Sequence, residues 1–234
     1  MRRRVVVNAD DFGLTSGVNR AVVEAHVRGI VTSTTAMVRQ PAAAEAAGLA
    51  LAHPALGVGL HVDLGEWAFV DGGWVALYDR VDADDAGAVA AEVDRQVERF
   101  SALFGRPPDH LDSHQHVHDS SPVREVVDAA ASRLGVPVRG RSGIRYVGGF
   151  YGQLSKGEPH HEGITVGALI SLLSGLPDGA SEVACHPGYV DGLADSRTMY
   201  VVERERELQA LCDERVAAAV VDAGIELVTF AELP

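Results

Sequence analysis

Residues that can bind a divalent cation or transfer a proton recur at the ends of four predicted β-strands in this 234-residue chain. The four segments, in chain order, are Asn8–Gly13, His61–Asp63, Asp112–His118 and Cys185–Tyr189. Because the carboxyl ends of parallel strands share one face of an α/β fold, we expect these side chains to meet there. One carboxylate and two imidazoles from different strands can hold a divalent ion and leave positions open for water and substrate.

The residues themselves suggest how such a site would work. Asp11, His61 and His114 form a suitable ligand set, and an ion bound by them would acidify water and polarise a carbonyl oxygen. Asp10 is then left to accept a proton from that water, and His186 can donate a proton to a leaving group. The sequence therefore predicts metal-assisted hydrolysis, provided that the strand ends converge.

Each element of this set also has an ordinary structural explanation. An Asp pair after a strand can cap a helix or form a turn, and a histidine such as His61 can be hydrogen-bonded without binding a metal. The triplet His114, His116 and His118 argues more strongly for function, because at a period of two its rings share one face of an extended segment. The alternative for the triplet is a solvated polar loop.

Two pairs of neighbouring residues raise a question of direction. Adjacent residues on a regular strand face opposite ways, so Asp10 and Asp11 can both enter the site only if the backbone leaves the strand. Gly13, two residues later, permits such a turn. By the same alternation Cys185 and His186 face apart, which argues against a Cys/His nucleophile pair.

The elements that must position these groups alternate along the chain. Short β-branched runs predict strands over residues 5–8, 32–38, 57–62, 110–113, 137–139, 182–185 and 225–229. Amphipathic stretches predict a helix from Thr15 or Ser16 to Gly29, and further helices over 41–52, 88–104, 122–134, 164–173 and 202–223. The stretches 64–87 and 141–162 are predicted to be long loops.

Seven strands separated by helices imply a parallel sheet. Periodicity is compatible both with a barrel and with an open doubly wound sheet. No internal repeat, proline-rich linker or low-complexity tract divides the chain, so we predict a single domain over residues 1–234.

The composition of the chain limits the classes of partner and the cellular locations that we expect. The chain has 20 Lys and Arg against 33 Asp and Glu, a net charge of −13, which disfavours nucleic acid because phosphate binding draws on clustered basic residues. No apolar run approaches the ~20 residues that span a bilayer, and a strand follows Arg2–Arg4 where a signal peptide would continue with an apolar core. Two cysteines cannot form a disulfide framework, so a cytoplasmic location is expected.

At these residues the chain resembles the YdjC-like carbohydrate deacetylases, which include the ChbG chito-oligosaccharide deacetylases. The matching segments follow the family's order and cover residues 7–14, 29–36, 59–61, 110–118, 150–152 and 185–187. The Asp-Asp-Phe-Gly and Asp-Ser-His-x-His-Val-His motifs are specific in combination. The resemblance extends over nearly the whole chain.

The resemblance implies a fold, an activity and a cofactor. The fold is a distorted, seven-stranded (β/α) barrel of the TIM type, and the activity is removal of N-acetyl groups from acetylated amino sugars. The implied cofactor is Mg²⁺, although a His-rich site suits Zn²⁺ at least as well. A homodimer is also implied. The loops after His61 and over 140–162 depart from the ChbG pattern, and these loops would shape the sugar pocket. The resemblance therefore says least about the particular sugar, which can be a chito-oligosaccharide, another acetylated glycan or a glycolipid precursor.

Roles follow from the resemblance residue by residue. Asp11, His61 and His114 match the metal ligands. Asp10 matches the general base, and His186 matches the general acid. His116 and His118 match a part of the family motif that contacts the sugar or supports the residues around it. Arg139 and Tyr151 are further candidate substrate-binding residues.

Two other functions stay open. One is a different metal-dependent hydrolase or isomerase on the same barrel that acts on a sugar phosphate. Arg139, Arg141 and Arg145, together with Gly140 and Gly143, could supply its phosphate pocket. The other is a non-catalytic sugar-binding protein that keeps a vestigial site.

Overall fold

The computed structural model describes residues 2–193 and 198–233, in which strands and helices alternate. The strands are β1 (Arg3–Phe12), β2 (Ser33–Ala36), β3 (Gly57–Val62), β4 (Gly65–Val70), β5 (Gly73–Asp79), β6 (Leu111–Ser113), β7 (Arg145–Val147), β8 (Gly179–Cys185) and β9 (Ile225–Leu227). The helices are α1 (Ser16–Arg28), α2 (Ala43–Ala52), α3 (Ala86–Phe104), α4 (Val123–Leu134), α5 (Val166–Ser174), α6 (Val202–Leu211) and α7 (Glu214–Asp222).

Seven of these strands form one sheet in the order β6-β3-β2-β1-β8-β7, with β9 paired to the start of β1. The pairings within this sheet are parallel. Asp112 on β6 and Glu182 on β8 both contact Arg139, although three strands separate β6 from β8. The sheet must therefore curl around these side chains, which confirms the predicted barrel-like parallel α/β fold.

Side chains along β1 alternate between two buried regions on opposite faces of the sheet. Residues 5, 7 and 9 join the main apolar core, which also includes residues of the surrounding helices. Val6 faces the other way and packs in a small cluster with Ile144, Val228 and Phe230. Asn8 and Asp10 continue on the side of Val6. The concave side of the sheet is therefore apolar near the amino ends of the strands and polar toward their carboxyl ends.

Local sequence signals set several helix ends. The hydroxyl of Thr15 accepts a hydrogen bond from the backbone N–H of Val18 and caps α1. Asp85 caps α3 in the same way, and Gly105, with a φ of 69°, ends it in the left-handed conformation. These helix boundaries agree with the predicted ones to within two residues.

The predicted loop over 64–87 is wrong in part, because it contains the antiparallel hairpin β4–β5. Asp71 and Gly72 form its turn with φ values of 50° and 85°. An Asp-Gly pair between alternating apolar residues is a hairpin signal. The hairpin is anchored at Asp63, whose carboxylate accepts hydrogen bonds from Tyr78 Oη and Arg80 Nε, both at 2.9 Å.

Two further predictions need correction. Residues 137–139, predicted as a strand, form only a single parallel bridge between Val138 and Leu111, whereas β7 lies in the predicted 141–162 loop. The number of parallel strands is nevertheless seven. The predicted helix over 202–223 is divided into α6 and α7, because Asp213 accepts a hydrogen bond from the N–H of Arg215 and caps a second helix.

Three expectations concern the chain as a whole. Within residues 2–193 and 198–233, no helix is long and apolar enough to cross a membrane. Cys185 and Cys212 are free thiols. The prediction of one domain over 1–234 stays a prediction.

Candidate active site

Asp10 and Asp11 both reach the mouth of the curled sheet because β1 is irregular at this point. Asp11 has a φ of 68°, and the pairing of β1 with β2 shifts register between Ala9 and Phe12. A bulge of this kind redirects the side chains around it, and a left-handed residue other than glycine is uncommon. The departure from the strand that the sequence requires therefore occurs at Asp11 itself, ahead of Gly13.

Asp11, His61 and His114 converge at this mouth. Oδ1 of Asp11 lies 3.3 Å from Nε2 of His61 and 3.2 Å from Nδ1 of His114, and the three ligand atoms lie within 4.8 Å of one another. Donors bound at about 2.1 Å to one cation are roughly 3.0–3.4 Å apart in octahedral or tetrahedral geometry. Asp11 therefore has the spacing that a shared divalent cation requires with each imidazole, and the two imidazole nitrogens lie within 4.8 Å of each other.

The two imidazoles in this cluster are unusually basic. Burial opposes a charge on either ring, but contacts with Asp112 and Asp11 hold the pKa of His61 well above its ordinary value. The nearby carboxylates of Asp11 and Glu66 likewise raise the pKa of His114 to about 9. Each ring must release a proton before that nitrogen can bind a cation. Cation binding and proton release are therefore coupled here.

Two of the candidate ligands, His61 and Asp11, are also hydrogen-bonded to residues on the side away from the candidate cation site. Nδ1 of His61 donates to Oδ1 of Asp112 at 2.7 Å, and Arg204 donates to Oδ2 of Asp11 at 2.7 Å. A carboxylate behind a ligating imidazole fixes the orientation and tautomer of the ring. Arg204 leaves Oδ1 of Asp11 as the oxygen directed at the two imidazoles.

Arg139 binds three carboxylates beneath the mouth. Its terminal nitrogens donate to both oxygens of Asp10, at 2.7 and 2.6 Å. One of them also lies 2.9 Å from Asp112, and Nε donates to Glu182 at 2.7 Å. The Arg139 side chain is only 1% exposed. This placement does not support the predicted substrate contact of Arg139, because its donors are already used to hold Asp10.

The charge of Arg139 sets the protonation of its neighbours. Burial alone would raise the pKa of Asp10, but the guanidinium holds it far below its usual range. The pKa of Asp112 is lowered in the same way. Burial outweighs the attraction of Arg139 at Glu182 and raises its pKa. Asp10 is therefore ionised throughout the physiological pH range.

His186 follows β8 and faces Asp10. Its Nε2 lies 3.6 Å from Oδ2 of Asp10, and its ring centroid lies 5.3 Å from that of Tyr151 and 5.4 Å from that of Tyr200. Glu207 accepts a hydrogen bond from the backbone N–H of His186 at 2.5 Å. Burial lowers the pKa of His186 to about 4 despite the attraction of Asp10. The ring is therefore neutral near pH 7.

The histidine triplet does not form the extended segment that the sequence predicted. It lies in a 3₁₀ segment over 114–119, where His116 and the residue before it have φ values of 54° and 51°. His114 turns toward Asp11, and Nε2 of His116 is hydrogen-bonded to the hydroxyl of Tyr146 at 3.1 Å. His118 is buried, with Nδ1 2.5 Å from the hydroxyl of Ser113. The three rings therefore have three different surroundings.

A cavity of about 240 Å³ lies over these groups. This volume is below the roughly 300–1,000 Å³ typical of small-molecule sites, so the cavity encloses a small ligand or one part of a larger ligand. Arg139 and His118 are not part of its lining. The other predicted site residues line it: Asp10, Asp11, His61, His114, His116, Tyr151 and His186.

Four residues of the site were not predicted from the sequence. Asp112 supports His61, and its position two residues before His114 on the same strand end could have indicated this. Glu66 and Tyr146 line the cavity from segments that were predicted to be loops. Arg204 lies on α6, where no motif surrounds it, and only the folded chain brings it to Asp11.

Comparison with known proteins places the chain in a family. The sequence profile described as YdjC-like protein matches residues 4–222. The chain belongs to the YdjC-like family. It is 36% identical to a carbohydrate deacetylase of Geobacillus stearothermophilus, over 99% of this chain and 98% of that protein. It is 33% identical to a chitooligosaccharide deacetylase of Salmonella schwarzengrund, over the full length of both.

Solved structures show that the YdjC-like chain shares its fold with other proteins. A protein from Enterococcus faecalis, described as a candidate cellobiose-phosphate cleavage protein, matches with a TM-score of 0.80 and 26% identity over 98% of each chain. A family 4 carbohydrate esterase from Streptomyces lividans matches with a TM-score of 0.57 and 14% identity, over 95% of this chain and 90% of that one. At that identity the second likeness concerns the fold alone.

Proposed function

We propose that this YdjC-like protein is a divalent-cation-dependent deacetylase that hydrolyses the N-acetyl groups of acetylated amino sugars. The observation that carries this proposal is the convergence of Asp11, His61 and His114 beside Asp10 and His186. The names of the relatives, a carbohydrate deacetylase and a chitooligosaccharide deacetylase, support the reaction and the class of substrate.

The cation would be held by Asp11, His61 and His114. When bound, it supplies a Lewis acid that polarises the acetamide carbonyl and acidifies water. One carboxylate and two imidazoles suit Zn²⁺ on ligand preference, while the sequence resemblance favours Mg²⁺. The identity of the metal therefore stays a prediction.

Asp10 is suited to accept a proton from water because it is ionised and held rigidly. Arg139 makes it a weak base, but fixes both of its oxygens at the cavity floor. His186 is neutral near pH 7 and must gain a proton before it can protonate the departing amine. Its Nε2 lies 3.6 Å from Asp10, so a proton taken up by Asp10 has a short path to His186.

The arginines on which a sugar-phosphate activity would depend are already occupied or lie elsewhere. Arg139 is bound to carboxylates, and Arg141 lies 3.1 Å from Asp128 and donates to the carbonyl of His118 at 2.9 Å. Arg145 begins β7, at the end of the strand away from the mouth. No phosphate pocket forms from these three residues, so we favour the deacetylase over this alternative.

Release of acetate from a panel of N-acetylated sugars, measured in parallel with phosphate release from sugar phosphates, tests the proposal. Acetate release that a chelator abolishes and a divalent metal restores is the expected result. His114→Ala should abolish both metal binding and activity, whereas His53→Ala, outside the site, should change neither. Phosphate release without acetate release would overturn the assignment, and so would full activity of His114→Ala.

The panel also addresses the remaining expectations. Asp10→Asn should retain the metal but lose about 10²–10⁴-fold in rate, as is usual for removal of a general acid or base. The sugar that is hydrolysed fastest identifies the substrate within the class. The homodimer and the cytoplasmic location stay predictions.

A further inference from the structure

Glu66, on strand β4, is a buried carboxylate without a conventional partner. Its side chain is 5% exposed, and no hydrogen-bond donor to it is found among residues 2–193 and 198–233. The nearest polar contact described is with Nε2 of His114, at 3.8 Å. A buried carboxylate is costly unless it is paired. This pairing of carboxylate and imidazole is therefore incomplete in the geometry described.

The same nitrogen of His114 also lacks a partner. Nε2 of His114 is buried and has no hydrogen bond, whereas Nδ1 lies 3.2 Å from Oδ1 of Asp11. The ring therefore presents Nδ1 to the candidate cation site and Nε2 to Glu66. His61 is arranged in the opposite sense, with Nε2 toward Asp11 and Nδ1 hydrogen-bonded to Asp112.

Binding of a cation to Nδ1 requires the proton of a neutral His114 ring to be on Nε2. A buried N–H without an acceptor costs about 1–3 kcal/mol, and Glu66 is the acceptor within reach in the described part of the chain. We propose that Glu66 accepts this proton in a hydrogen bond and thereby couples the β4–β5 hairpin to the cation. This inference rests on the proposed cation-dependent function.

The coupling requires a small movement. The 3.8 Å contact must shorten by about 1 Å to become a charge-assisted hydrogen bond of about 2.8 Å. The hairpin is held to the segment after His114 by Gln115, whose side-chain amide bonds both the N–H and the carbonyl of Trp67, at 2.9 and 2.8 Å. Trp67 is the residue after Glu66 and is bonded to the residue after His114, so we expect movement of Glu66 toward His114 to change the surroundings of the Trp67 ring.

Tryptophan fluorescence provides a direct readout of this movement. The sequence contains two tryptophans, Trp67 and Trp74, and both lie on the hairpin. Titration of the metal-free protein with Zn²⁺ or Mg²⁺ should change the tryptophan emission of the wild type. Isothermal calorimetry on the same samples gives the dissociation constant independently.

The decisive variant is Glu66→Gln, which keeps the size of the side chain and removes its charge. We expect it to bind the metal about 10–100-fold more weakly, the usual cost of losing a carboxylate behind a ligating histidine, and to lose the emission change at saturation. Glu66→Asp, shorter by one methylene group, should be intermediate. Asp71→Asn removes a carboxylate from the exposed turn of the same hairpin, and should match the wild type in both measurements.

Wild-type affinity together with an unchanged emission response in Glu66→Gln would overturn the inference. Equal losses in Glu66→Gln and Asp71→Asn would also overturn it, since they would indicate a general effect of hairpin charge. If the wild type binds neither metal, the proposed cation-dependent function itself fails, and this outcome is distinct from the other two.

Discussion

Replacement of Arg139 by methionine tests the interpretation of the buried charges. The substitution keeps most of the side-chain volume but leaves Asp10, Asp112 and Glu182 without the cation that contacts all three of them. Removing one partner from a buried ionic cluster costs about 3–5 kcal/mol. For a chain of this length, we expect a loss of about 6–20 °C in melting temperature.

The loss of stability in Arg139→Met should depend on pH, and the buried carboxylates determine the direction of that dependence. In the wild type the pKa values of Asp10 and Asp112 are lowered, so their stabilising effect is complete above the ordinary aspartate pKa and constant between pH 5 and 8. Without Arg139, burial raises these pKa values above those of the unfolded chain. The folded variant then binds more protons than the unfolded one, and its stability rises as the pH falls.

Urea unfolding with a chelator present, at pH 8 and at pH 5, measures both effects. The deficit of Arg139→Met should be largest at pH 8 and should narrow at pH 5. Arg133→Met is the matched control, because Arg133 pairs with Asp94 where both side chains are more than half exposed, and such pairs contribute about 0–1 kcal/mol. A deficit below about 1 kcal/mol for Arg139→Met, or one equal at both pH values, would refute the reasoning.

Three further predictions concern the ligands and the histidine triplet. Because His61 and His114 both have raised pKa values, metal affinity should rise with pH below the His114 pKa of about 9, by up to about 100-fold per pH unit where both rings are protonated and two protons are displaced; calorimetry in buffers of different ionisation enthalpy checks this, and a flat profile contradicts it. Asp112→Asn should weaken metal binding about 10–100-fold, measured by equilibrium dialysis, and an unchanged affinity would separate Asp112 from the site. His116→Ala should raise KM with little change in melting temperature, whereas His118→Ala should lower stability by about 1–3 kcal/mol; the reverse pattern would exchange the roles assigned to the two rings.

The sequence predicted the parts of the site that follow strands, because strand ends of a parallel sheet share one face. Asp11, His61 and His114 could be grouped on this argument although they are far apart in the chain. Their exact surroundings could not be predicted, since the direction of His116 depends on a left-handed backbone that period-two alternation does not anticipate. The same limit applies to Asp10 and Asp11, because the bulge that directs both into the site is not visible in the sequence pattern.

Residues that act through tertiary contacts were the ones missed. Arg139 is predicted to contact substrate, but the curl of the sheet buries it among the carboxylates of Asp10, Asp112 and Glu182. Arg204 lies on α6, and nothing in the sequence of that helix indicates that Arg204 contacts Asp11. The sequence does not single out Glu66, because its hairpin lies within the stretch 64–87 that is predicted to be a long loop.

The bulge in β1 has a consequence for how the site responds to thermal fluctuation. Asp10 and Asp11 are consecutive residues, so their Cα atoms stay about 3.8 Å apart however the strands of the barrel move. His61 and His114 reach the candidate cation site from β3 and from the segment after β6. Their distances from Asp11 therefore change whenever these strands move relative to β1. Heating or loosening of the barrel should separate the imidazoles from Asp11 first, while the backbone of the proposed base keeps its distance from the backbone of the carboxylate ligand.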